Sequence, residues 1–409
     1  MRIAHVNCSE KSGGAAIAAY RLHKALVKDG TDSFMTVARS ASGDLRTSSP
    51  NTLIAQFKYK LYGKLDSYIC RILSSEKGKV HQSAGLFGSD TLRRAQALKP
   101  DVLHLHWING GCVSLSQLSA VQLPVVWTLH DTWPFGGLSH YENSHDSCWY
   151  QNVDGSERAP RGGQLSVWAK RRSLPKGKLT IVAPSNWMAE CARSSRVFQG
   201  VDVRVIPNCI DVEEWKPEDP VLSRTKLEIP IDANVILFSA AEGFSEQRKG
   251  GDLYIRLLRQ LQQYGRRRVI ALLVGVNSPP KELIDFCEAR AFGFVSDVDY
   301  LRTLYSASDF AVIPSRLDNL PNVGLEAQAC GTPVAAFGAA GLPDIVANGV
   351  NGVIAPPFQP ETLAMRMLDV INDPQSLGTM RRNSRKLAVD RYSEPVVTKQ
   401  YLEVYRACQ

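Results

Sequence analysis

The stretch SRLDNLPNVGLEAQACGTPV, residues Ser315–Val334, decides which fold the chain adopts. It lies between two short apolar runs of strand length, Phe310–Ile313 before it and Val334–Phe337 at its end. A loop that contains Asp318 comes first, and a segment of helical character with Glu326 follows. This order of strand, loop, helix and strand is typical of the units from which parallel sheets are built.

The same unit recurs along the whole chain. Amphipathic segments such as Ala15–Val27 and Asp252–Tyr264 alternate with short apolar runs. The predicted strands are Ile3–Val6, Phe34–Val37, Val102–His106, Val125–His130, Thr180–Ala183, Val235–Ser239, Val269–Val274, Ala291–Val295, Phe310–Ile313 and Val334–Phe337. We therefore predict an α/β protein with two Rossmann-like, doubly wound parallel sheets.

The polar, proline-containing stretch VRVIPNCIDVEEWKPEDP indicates a boundary between two domains. We predict a first domain over residues 1–205 and a second over 206–391, facing each other across a cleft at the carboxyl ends of their strands. The last helical segment, Glu394–Ala407, could close the second domain or return to the first. We predict that residues 392–409 cross back to the first domain.

Composition excludes several classes of protein. The 409 residues are 44% hydrophobic and 22% charged, which favours a folded globular chain over a disordered one. No apolar run is long enough to span a membrane, the N-terminus is too interrupted for a signal peptide, and nine scattered cysteines fit a reduced cytoplasm. The net charge of +8 suits nucleic acid, an anionic membrane surface or a phosphorylated ligand.

Two segments have features of phosphate-binding sites. Gly13 and Gly14 follow the first strand and open a helix, where backbone N–H groups can meet an anion. Arg248 and Lys249 stand just before another helix, where they could bind a diphosphate. The alternatives are that the glycines serve only the turn and that the two cations form a solvated basic turn.

The opening stretch adds two carboxylates to this pattern. Asn322 is a favourable N-cap residue, so the helix should begin there and hold Glu326 near its start. A carboxylate in that place can accept hydrogen bonds from two ribose hydroxyls. Asp318 could reach a second sugar, so a nucleotide sugar is the ligand that this spacing suits.

These segments resemble the retaining glycosyltransferases of family 4, which have the GT-B fold of two Rossmann-like domains. Besides the opening stretch, the resemblance rests on Gly13-Gly14, TLHDTWPF (128–135), IVAPSNWMAECARSS (181–195), VIPNCID (205–211), RKG (248–250), YSASDFAVIPS (305–315) and GAAGLPDIVANGVNGVIAPP (338–357). The HD-x-WPF and DNLPN variants are similar to those of polysaccharide-assembly enzymes. The resemblance covers nearly the whole chain.

The resemblance implies a role for each matched position. It places His130 and Asp318 at the hydroxyls of the transferred sugar, Arg248 and Lys249 at the diphosphate, and Glu326 at the ribose. It also implies donor contacts for Gly13, Gly14, Val295, Asn319, Leu320, Pro321, Asn322 and Val323. Two departures stand out: Phe244 occupies the position of a more usual arginine, and Cys148 is the one cysteine in the segment after WPF, where related sequences carry several.

Three other groups have a structural explanation beside a functional one. Asp297 and Asp299 form a D-x-D, which holds a metal in other sugar transferases, but their place at a strand-to-helix junction favours N-capping. We predict no metal and no cofactor. His104 and His106 alternate on an apolar strand, where a hydrogen-bonded core histidine is the alternative to a ligand role.

The segment 53–73 places apolar residues at steps of three and four, with basic residues around them. The apolar residues are Ile54, Phe57, Leu61, Leu65, Tyr68 and Ile72, and the basic ones are Lys58, Lys60, Lys64 and Arg71. Such a helix could pack in the core with a solvated basic face, or it could lie on anionic lipid.

The resemblance as a whole implies a retaining, metal-independent hexosyltransferase. It would move a sugar from a nucleoside diphosphate to a hydroxyl of a lipid-linked saccharide during cell-surface polysaccharide biosynthesis. In this family the departing diphosphate takes the acceptor's proton. We expect a cytoplasmic protein that does not bind nucleic acid and that could be peripheral on the inner face of the plasma membrane. An epimerase acting on the nucleotide sugar and a non-catalytic binding protein of the same fold are the alternative hypotheses.

Overall fold

The computed structural model describes residues 1–40, 42–50, 52–74, 81–141, 161–240 and 243–409. Cys148 and most of the segment around it therefore lie outside the described residues. The chain divides into two compact units, which we call unit 1 (Met1–Cys209 with Pro395–Gln409) and unit 2 (Ile210–Glu394). The boundary follows Cys209, four residues after the position that the proline-containing stretch indicates.

Unit 1 is built on a seven-stranded parallel sheet with the strand order β3-β2-β1-β4-β5-β6-β7. Its elements up to residue 205 are β1 Arg2–Ser9, α1 Gly14–Lys28, β2 Asp32–Arg39, β3 Thr47–Ser48, α2 Leu53–Leu73, α3 Thr91–Ala97, β4 Val102–Leu105, α4 Leu115–Ser119, β5 Val125–Thr128, α5 Arg161–Arg172, β6 Leu179–Ala183, α6 Asn186–Ser194 and β7 Asp202–Val205.

Unit 2 is built on a six-stranded parallel sheet with the order β10-β9-β8-β11-β12-β13. The elements from residue 220 onward are α7 Pro220–Lys226, β8 Asn234–Ser239, α8 Gly251–Tyr264, β9 Val269–Val274, α9 Lys281–Ile284, β10 Glu288–Ala291, α10 Val298–Ala307, β11 Phe310–Ile313, α11 Asn322–Ala329, β12 Val334–Phe337, α12 Leu342–Ile345, β13 Gly352–Ala355, α13 Pro360–Ile371, α14 Pro374–Tyr392 and α15 Glu394–Cys408. The prediction of two doubly wound parallel sheets is confirmed.

The C-terminal helix α15 packs on the sheet of unit 1. Val397, Tyr401 and Tyr405 are buried there in one apolar cluster with Ile3 and Val102, which come from β1 and β4. The Tyr401 hydroxyl also lies 3.0 Å from Oγ1 of Thr128 on β5. The last fifteen residues therefore complete a core that begins with the first strand.

In both sheets the strand order reverses at one point, between β1 and β4 in unit 1 and between β8 and β11 in unit 2. Doubly wound sheets bind ligands outside the carboxyl ends of the strands at such switch points. A ligand site is therefore expected among the segments that follow these four strands.

The predicted strand Ala291–Val295 is wrong by several residues. The strand is Glu288–Ala291, which pairs with β9 over Ile270–Leu273. Gly293 has a positive φ of 62°, which takes the chain out of extended geometry, and the Phe294 side chain is 81% exposed. The apolar composition of AFGFV suggested a strand, but Gly293 leaves the parallel sheet and makes an isolated antiparallel bridge to Val276.

Helix α2 contradicts the hypothesis that its apolar stripe packs in the core. The helix lies on unit 1 with Asp66 and Cys70 as its buried residues. The Asp66 carboxylate accepts hydrogen bonds from the backbone N–H groups of Ala84 and Leu86, at 3.0 and 3.3 Å. A Cβ at Gly111 would lie 2.7 Å from the Gly63 nitrogen, so glycine allows a close approach of helix and loop. The inward side of α2 thus consists of Gly63, Asp66 and Cys70 together with the partly buried Tyr59 and Ile69.

The opposite face of α2 is exposed. Its apolar side chains have exposed fractions of 84% at Leu53, 69% at Ile54, 66% at Phe57, 62% at Tyr68 and 66% at Ile72. Among the described residues no helix is both long and apolar enough to cross a membrane.

Candidate functional site

The switch point of unit 2 holds the RKG segment. A 3₁₀ turn, Gln247–Lys249, follows β8 and leads through Gly250 into α8. Gly250 has φ 71°, and a Cβ there would lie 2.0 Å from the Pro314 carbonyl oxygen, so only glycine fits. The backbone N–H of Arg316 donates to the Arg248 carbonyl oxygen at 2.8 Å. The loops after the neighbouring strands β8 and β11 are thereby fastened together.

This contact brings two cations to one carboxylate. Nζ of Lys249 lies 2.6 Å from Oδ2 of Asp318, and Nη1 of Arg248 lies 3.6 Å from Oδ1. Ser315 donates its hydroxyl to Oδ2 at 3.3 Å, and the Asn319 N–H donates to Oδ1 at 3.2 Å. Both carboxylate oxygens of Asp318 are therefore engaged, and the residue is 7% exposed.

The charges of this cluster are unequally buried. Burial opposes ionisation of Asp318, but the Lys249 and Arg248 cations outweigh it and lower the pKa of the carboxyl below its usual value. The lysine and arginine side chains keep exposed fractions of 23% and 22%. A buried anion thus orients two cations that remain accessible to an anionic ligand.

Phe244, which departs from the family pattern, is a packing residue. Its ring lies 5.1 Å from that of Phe238 and 6.4 Å from that of Tyr254. Gly251 makes room for it, because a Cβ there would lie 2.4 Å from the phenyl ring. Arg248, rather than residue 244, supplies the second cation, and Glu246 and the Leu317 carbonyl oxygen fix its guanidinium.

Glu326 lies in α11 and is 9% exposed. Its Oε2 accepts a hydrogen bond from the Tyr305 hydroxyl at 3.0 Å, a partner that the sequence did not indicate. The helix begins one position differently from the prediction: Pro321, in extended geometry, is the N-cap, and Asn322 is the first helical residue, without a side-chain cap. Proline has no N–H to leave unsatisfied and is tolerated at such a start.

The remaining predicted donor-binding positions fall in two places. Asn319 and Leu320 are buried in the loop after Asp318, and Val323 lies in the first turn of α11. Val295 is partly buried against the core of unit 2, beyond the end of β10. Asn319, Leu320 and Val323 thus follow Asp318 in the same loop and helix start, whereas Val295 lies on a different loop.

Unit 1 contributes two predicted features. Gly13 has φ 92° and caps α1 without a side-chain hydrogen bond, and Gly14 is the first helical residue. The positive φ of Gly13 by itself accounts for a glycine at this position, because other residues rarely adopt this conformation. His130 follows β5 by two residues and is partly exposed, and burial lowers its pKa to about 4.

Hydrogen bonds of the polar side chains Asp131, His140 and Lys170 hold the loop after His130, and the sequence analysis did not identify them. Nδ1 of His140 lies 2.5 Å from Oδ2 of Asp131, which also accepts from the Trp107 indole N–H at 2.8 Å. Lys170 is buried and donates to the carbonyl oxygens of Trp133 and Gly136 at 2.6 and 3.0 Å. Such non-local pairs could not be read from residue spacing.

The D-x-D has a structural role. Asp297 caps α10, since its carboxylate accepts from the Tyr300 N–H at 3.1 Å, as predicted. Asp299 is 82% exposed and pairs with Arg302 at 3.2 Å, so it is an ion-pair residue and not a second cap.

The structure also places ring nitrogens of His5, His104 and His106 within 4.8 Å of one another. Nδ1 of His104 lies 2.7 Å from the Tyr405 hydroxyl, and Nε2 lies 2.8 Å from that of Thr128. With both nitrogens hydrogen-bonded, His104 is the satisfied core histidine that one interpretation predicted, and it has none left for a metal ion.

Comparisons with known proteins match both halves of the chain. The model of Glycosyltransferase Family 4 matches residues 12–214, and that of Glycosyl transferases group 1 matches residues 222–387. A D-inositol 3-phosphate glycosyltransferase of Saccharomonospora viridis is 26% identical over 354 residues, which are 81% of this chain and 76% of that protein. One of Catenulispora acidiphila is 32% identical over 213 residues, 48% of this chain and 50% of that protein.

Solved structures show the same fold. Sucrose-phosphate synthase from Thermosynechococcus elongatus superposes with a TM-score of 0.70 at 20% identity, over 100% of this chain and 98% of that one. Anabaena HepE in complex with UDP-glucose gives a TM-score of 0.66 at 18% identity, over 100% of both chains. The fold is GT-B.

Proposed function

We propose that this chain, a glycosyltransferase of the family 4 type, transfers a sugar from a nucleoside diphosphate sugar to a hydroxyl of a lipid-linked saccharide in cell-surface polysaccharide assembly. The observation that carries the proposal is the pair of accessible cations, Arg248 and Lys249, oriented by buried Asp318 at the switch point of unit 2. Two fixed positive charges beside a helix start suit a diphosphate leaving group.

The proposed reaction needs charge stabilisation more than acid or base chemistry. The acceptor oxygen forms a bond to the anomeric carbon while the bond from that carbon to the diphosphate oxygen breaks. The acceptor's proton passes to the departing diphosphate on the same face, so the anomeric configuration is retained. Lys249 and Arg248 stabilise the negative charge that develops on the leaving group.

Other residues orient the two substrates. Glu326 accepts hydrogen bonds from the ribose hydroxyls, and the loop from Asn319 to Val323 meets the donor next to it. The family resemblance further assigns Gly13 and Gly14 to the donor and His130 to a hydroxyl of the transferred sugar. Asp318 has both oxygens engaged by neighbours, so we assign it first to orienting the cations and second to the sugar.

The test of this proposal is product analysis. A thermal-shift screen of nucleotide sugars selects the donor, and NMR of the product with a saccharide acceptor gives the configuration of the new linkage. Retention, unchanged by a chelator, supports the proposal. Inversion, or activity lost with the chelator and restored by magnesium or manganese, contradicts it.

Replacing Glu326 by glutamine should raise the Kd of the selected nucleoside diphosphate by roughly 10- to 150-fold, the effect of one or two lost charge-assisted hydrogen bonds. The substitution keeps an acceptor for the Tyr305 hydroxyl, which limits structural damage. Calorimetric titration of both proteins measures the change. The 2′,3′-dideoxy nucleotide is the control and should bind both proteins equally; a loss of the same size with that analogue would reject the ribose role.

We also propose that α2 binds the anionic membrane surface that carries the acceptor. The apolar stripe of α2 is exposed, and the four basic residues of the same helix, Lys58, Lys60, Lys64 and Arg71, are exposed too. Because Gly63, Asp66 and Cys70 hold the helix by its other face, the stripe is not used by the core of unit 1. Apolar and basic residues together fit an anionic lipid surface.

Changing the four basic residues of α2 to glutamine should strongly reduce binding to phosphatidylglycerol vesicles at low salt. Each Lys or Arg near such a surface contributes about 1 kcal/mol. Co-sedimentation measures the bound fraction. A matched control removes four exposed charges from unit 2 (Lys216, Arg266, Arg267 and Lys281 to glutamine) and should bind like the wild type. Equal binding of all three proteins, or none by the wild type, rejects the membrane role of α2.

A further inference from the structure

Three imidazoles form a hydrogen-bonded row in unit 1. His5 lies on the central strand β1, His106 directly follows β4, and His130 follows β5. Nδ1 of His5 lies 3.0 Å from Nε2 of His106, and Nδ1 of His106 lies 3.1 Å from Nε2 of His130. The row thus runs from the buried centre of the sheet to a partly exposed residue at its carboxyl edge.

The row has only two consistent proton arrangements. Burial lowers the pKa of His5 and of His106 well below the usual value and that of His130 to about 4, so at neutral pH each ring carries a single N–H. Within the row, each bond joins an Nδ1 to an Nε2. Either all three protons are therefore on Nδ1, or all three are on Nε2.

The buried end of the row distinguishes these arrangements. Nε2 of His5 is buried and has no hydrogen-bond partner among the residues that the structure describes. With protons on Nε2, the core would contain an unpaired N–H donor, whereas with protons on Nδ1 it contains an unpaired acceptor. Among buried backbone groups an orphaned N–H is rarer than an under-satisfied acceptor, and we apply the same preference to the imidazole, which favours protons on Nδ1.

We propose that His5 and His106 are positioning residues that hold His130 in its Nδ1–H tautomer, so that His130 donates a hydrogen bond to a hydroxyl oxygen of the transferred sugar. Nε2 of His130 is bonded to His106, whereas Nδ1 has no hydrogen-bond partner in the described part of the chain, and the ring is partly exposed. The identity of the ligand rests on the proposed function. The tautomer does not, because it follows from the hydrogen bonds of the row and from the unpaired, buried Nε2 of His5.

The tautomer can be measured directly in the full chain. Long-range ¹H–¹⁵N spectra of protein labelled at its eight histidines distinguish a protonated from a bare ring nitrogen. We expect His130 with its proton on Nδ1 in the wild type. His130 with its proton on Nε2 would overturn the proposal without any variant.

Three variants test the positioning role. His5→Leu removes the first donor and should let the Nε2–H form of His130 appear, whereas His5→Asn keeps an N–H near the Nδ1 position and should restore Nδ1–H. His23→Leu is the control, because His23 is equally buried and is hydrogen-bonded to Ser33 outside the row. An unchanged His130 tautomer in His5→Leu would overturn the positioning role.

Kinetics supply the second readout. His5→Leu should lower kcat/KM for sugar transfer by roughly 10- to 100-fold, as loss of an outer partner of a functional histidine does, and His5→Asn should recover most of it. His23→Leu should remain close to the wild type. An equal loss in His23→Leu would indicate a merely structural effect and contradict the proposal. A wild type with the expected tautomer but no transfer activity would instead contradict the proposed function.

Discussion

Lys249→Met should lower kcat/KM for sugar transfer by roughly 100- to 1000-fold, the loss expected when a preorganised charge at a leaving group is removed. Its ammonium lies 2.6 Å from the buried carboxylate of Asp318, which holds it in place before any ligand arrives. We would measure the rate of nucleotide release over a range of donor concentrations, which gives kcat and KM for both proteins. Most of the loss should be in kcat, because charge on the diphosphate grows as the bond to the sugar breaks.

The controls for Lys249→Met separate charge from folding. Lys226 also pairs with a carboxylate of unit 2, Glu218 at 3.5 Å, but is 63% exposed, and Lys226→Met should leave the rate unchanged. Lys249→Met with Asp318→Asn removes both members of the pair and should restore thermal stability without restoring activity. A Lys249→Met protein with nearly normal kcat/KM would show that the lysine only neutralises Asp318.

Lowering the pH from 7 to 5 should destabilise unit 1 and leave unit 2 largely unaffected. All eight histidines lie within the first 145 residues. Burial lowers the pKa of His5, His104 and His106 well below 6.5, and burial lowers the pKa of His23 and His130 to about 4. An unfolded chain binds these protons from about pH 6.5 downward, whereas the folded chain binds those of His23 and His130 only near pH 4 and resists protonation of the other three.

The sign and size of this effect follow from proton linkage. Because the unfolded state binds more protons in this window, the free energy of unfolding falls as the pH falls. Each such histidine contributes about 1.4 kcal/mol per pH unit below pH 6.5, so His23 and His130 would each cost about 2 kcal/mol between pH 7 and 5. Hydrogen exchange of the full chain, corrected for intrinsic rates, measures this through peptides of β1 and β4, with β8 and β9 as internal controls. Equal loss of protection in both units would contradict the assignment.

The sequence predicts which loops carry the charged residues, but it assigned Lys249 and Asp318 to different parts of the ligand and did not predict their contact. RKG and Asp318 follow different strands, but the carboxyl ends of neighbouring parallel strands meet at one edge. The contact depends on β8 and β11 being neighbours in the sheet, a strand order that the structure supplies, and it places the two charged groups 2.6 Å apart. Tyr305, the partner of Glu326, depends on helix packing and carries no signal of its own.

The histidine row and the orientation of α2 could not be predicted from spacing. The row requires that β4 lie between β1 and β5, with His5 opposite His104 in register, which no local pattern specifies. The periodicity of α2 predicts an apolar stripe but not the direction in which it faces. That direction depends on the close approach of Gly63 and Gly111, which are far apart in sequence. It also depends on the hydrogen bonds of Asp66, a polar residue that the apolar periodicity does not register.

The most direct test of sugar transfer is the release of nucleoside diphosphate with and without a saccharide acceptor. A transferase releases it in proportion to the acceptor present, with one glycosylated acceptor formed for each nucleotide released, and we expect this result from the wild type but not from Lys249→Met. Conversion of the nucleotide sugar to an isomer without acceptor would indicate an epimerase. Binding of the nucleotide sugar without turnover, whichever saccharide acceptor is supplied, would indicate a binding protein. Either of these two outcomes would contradict the proposed function.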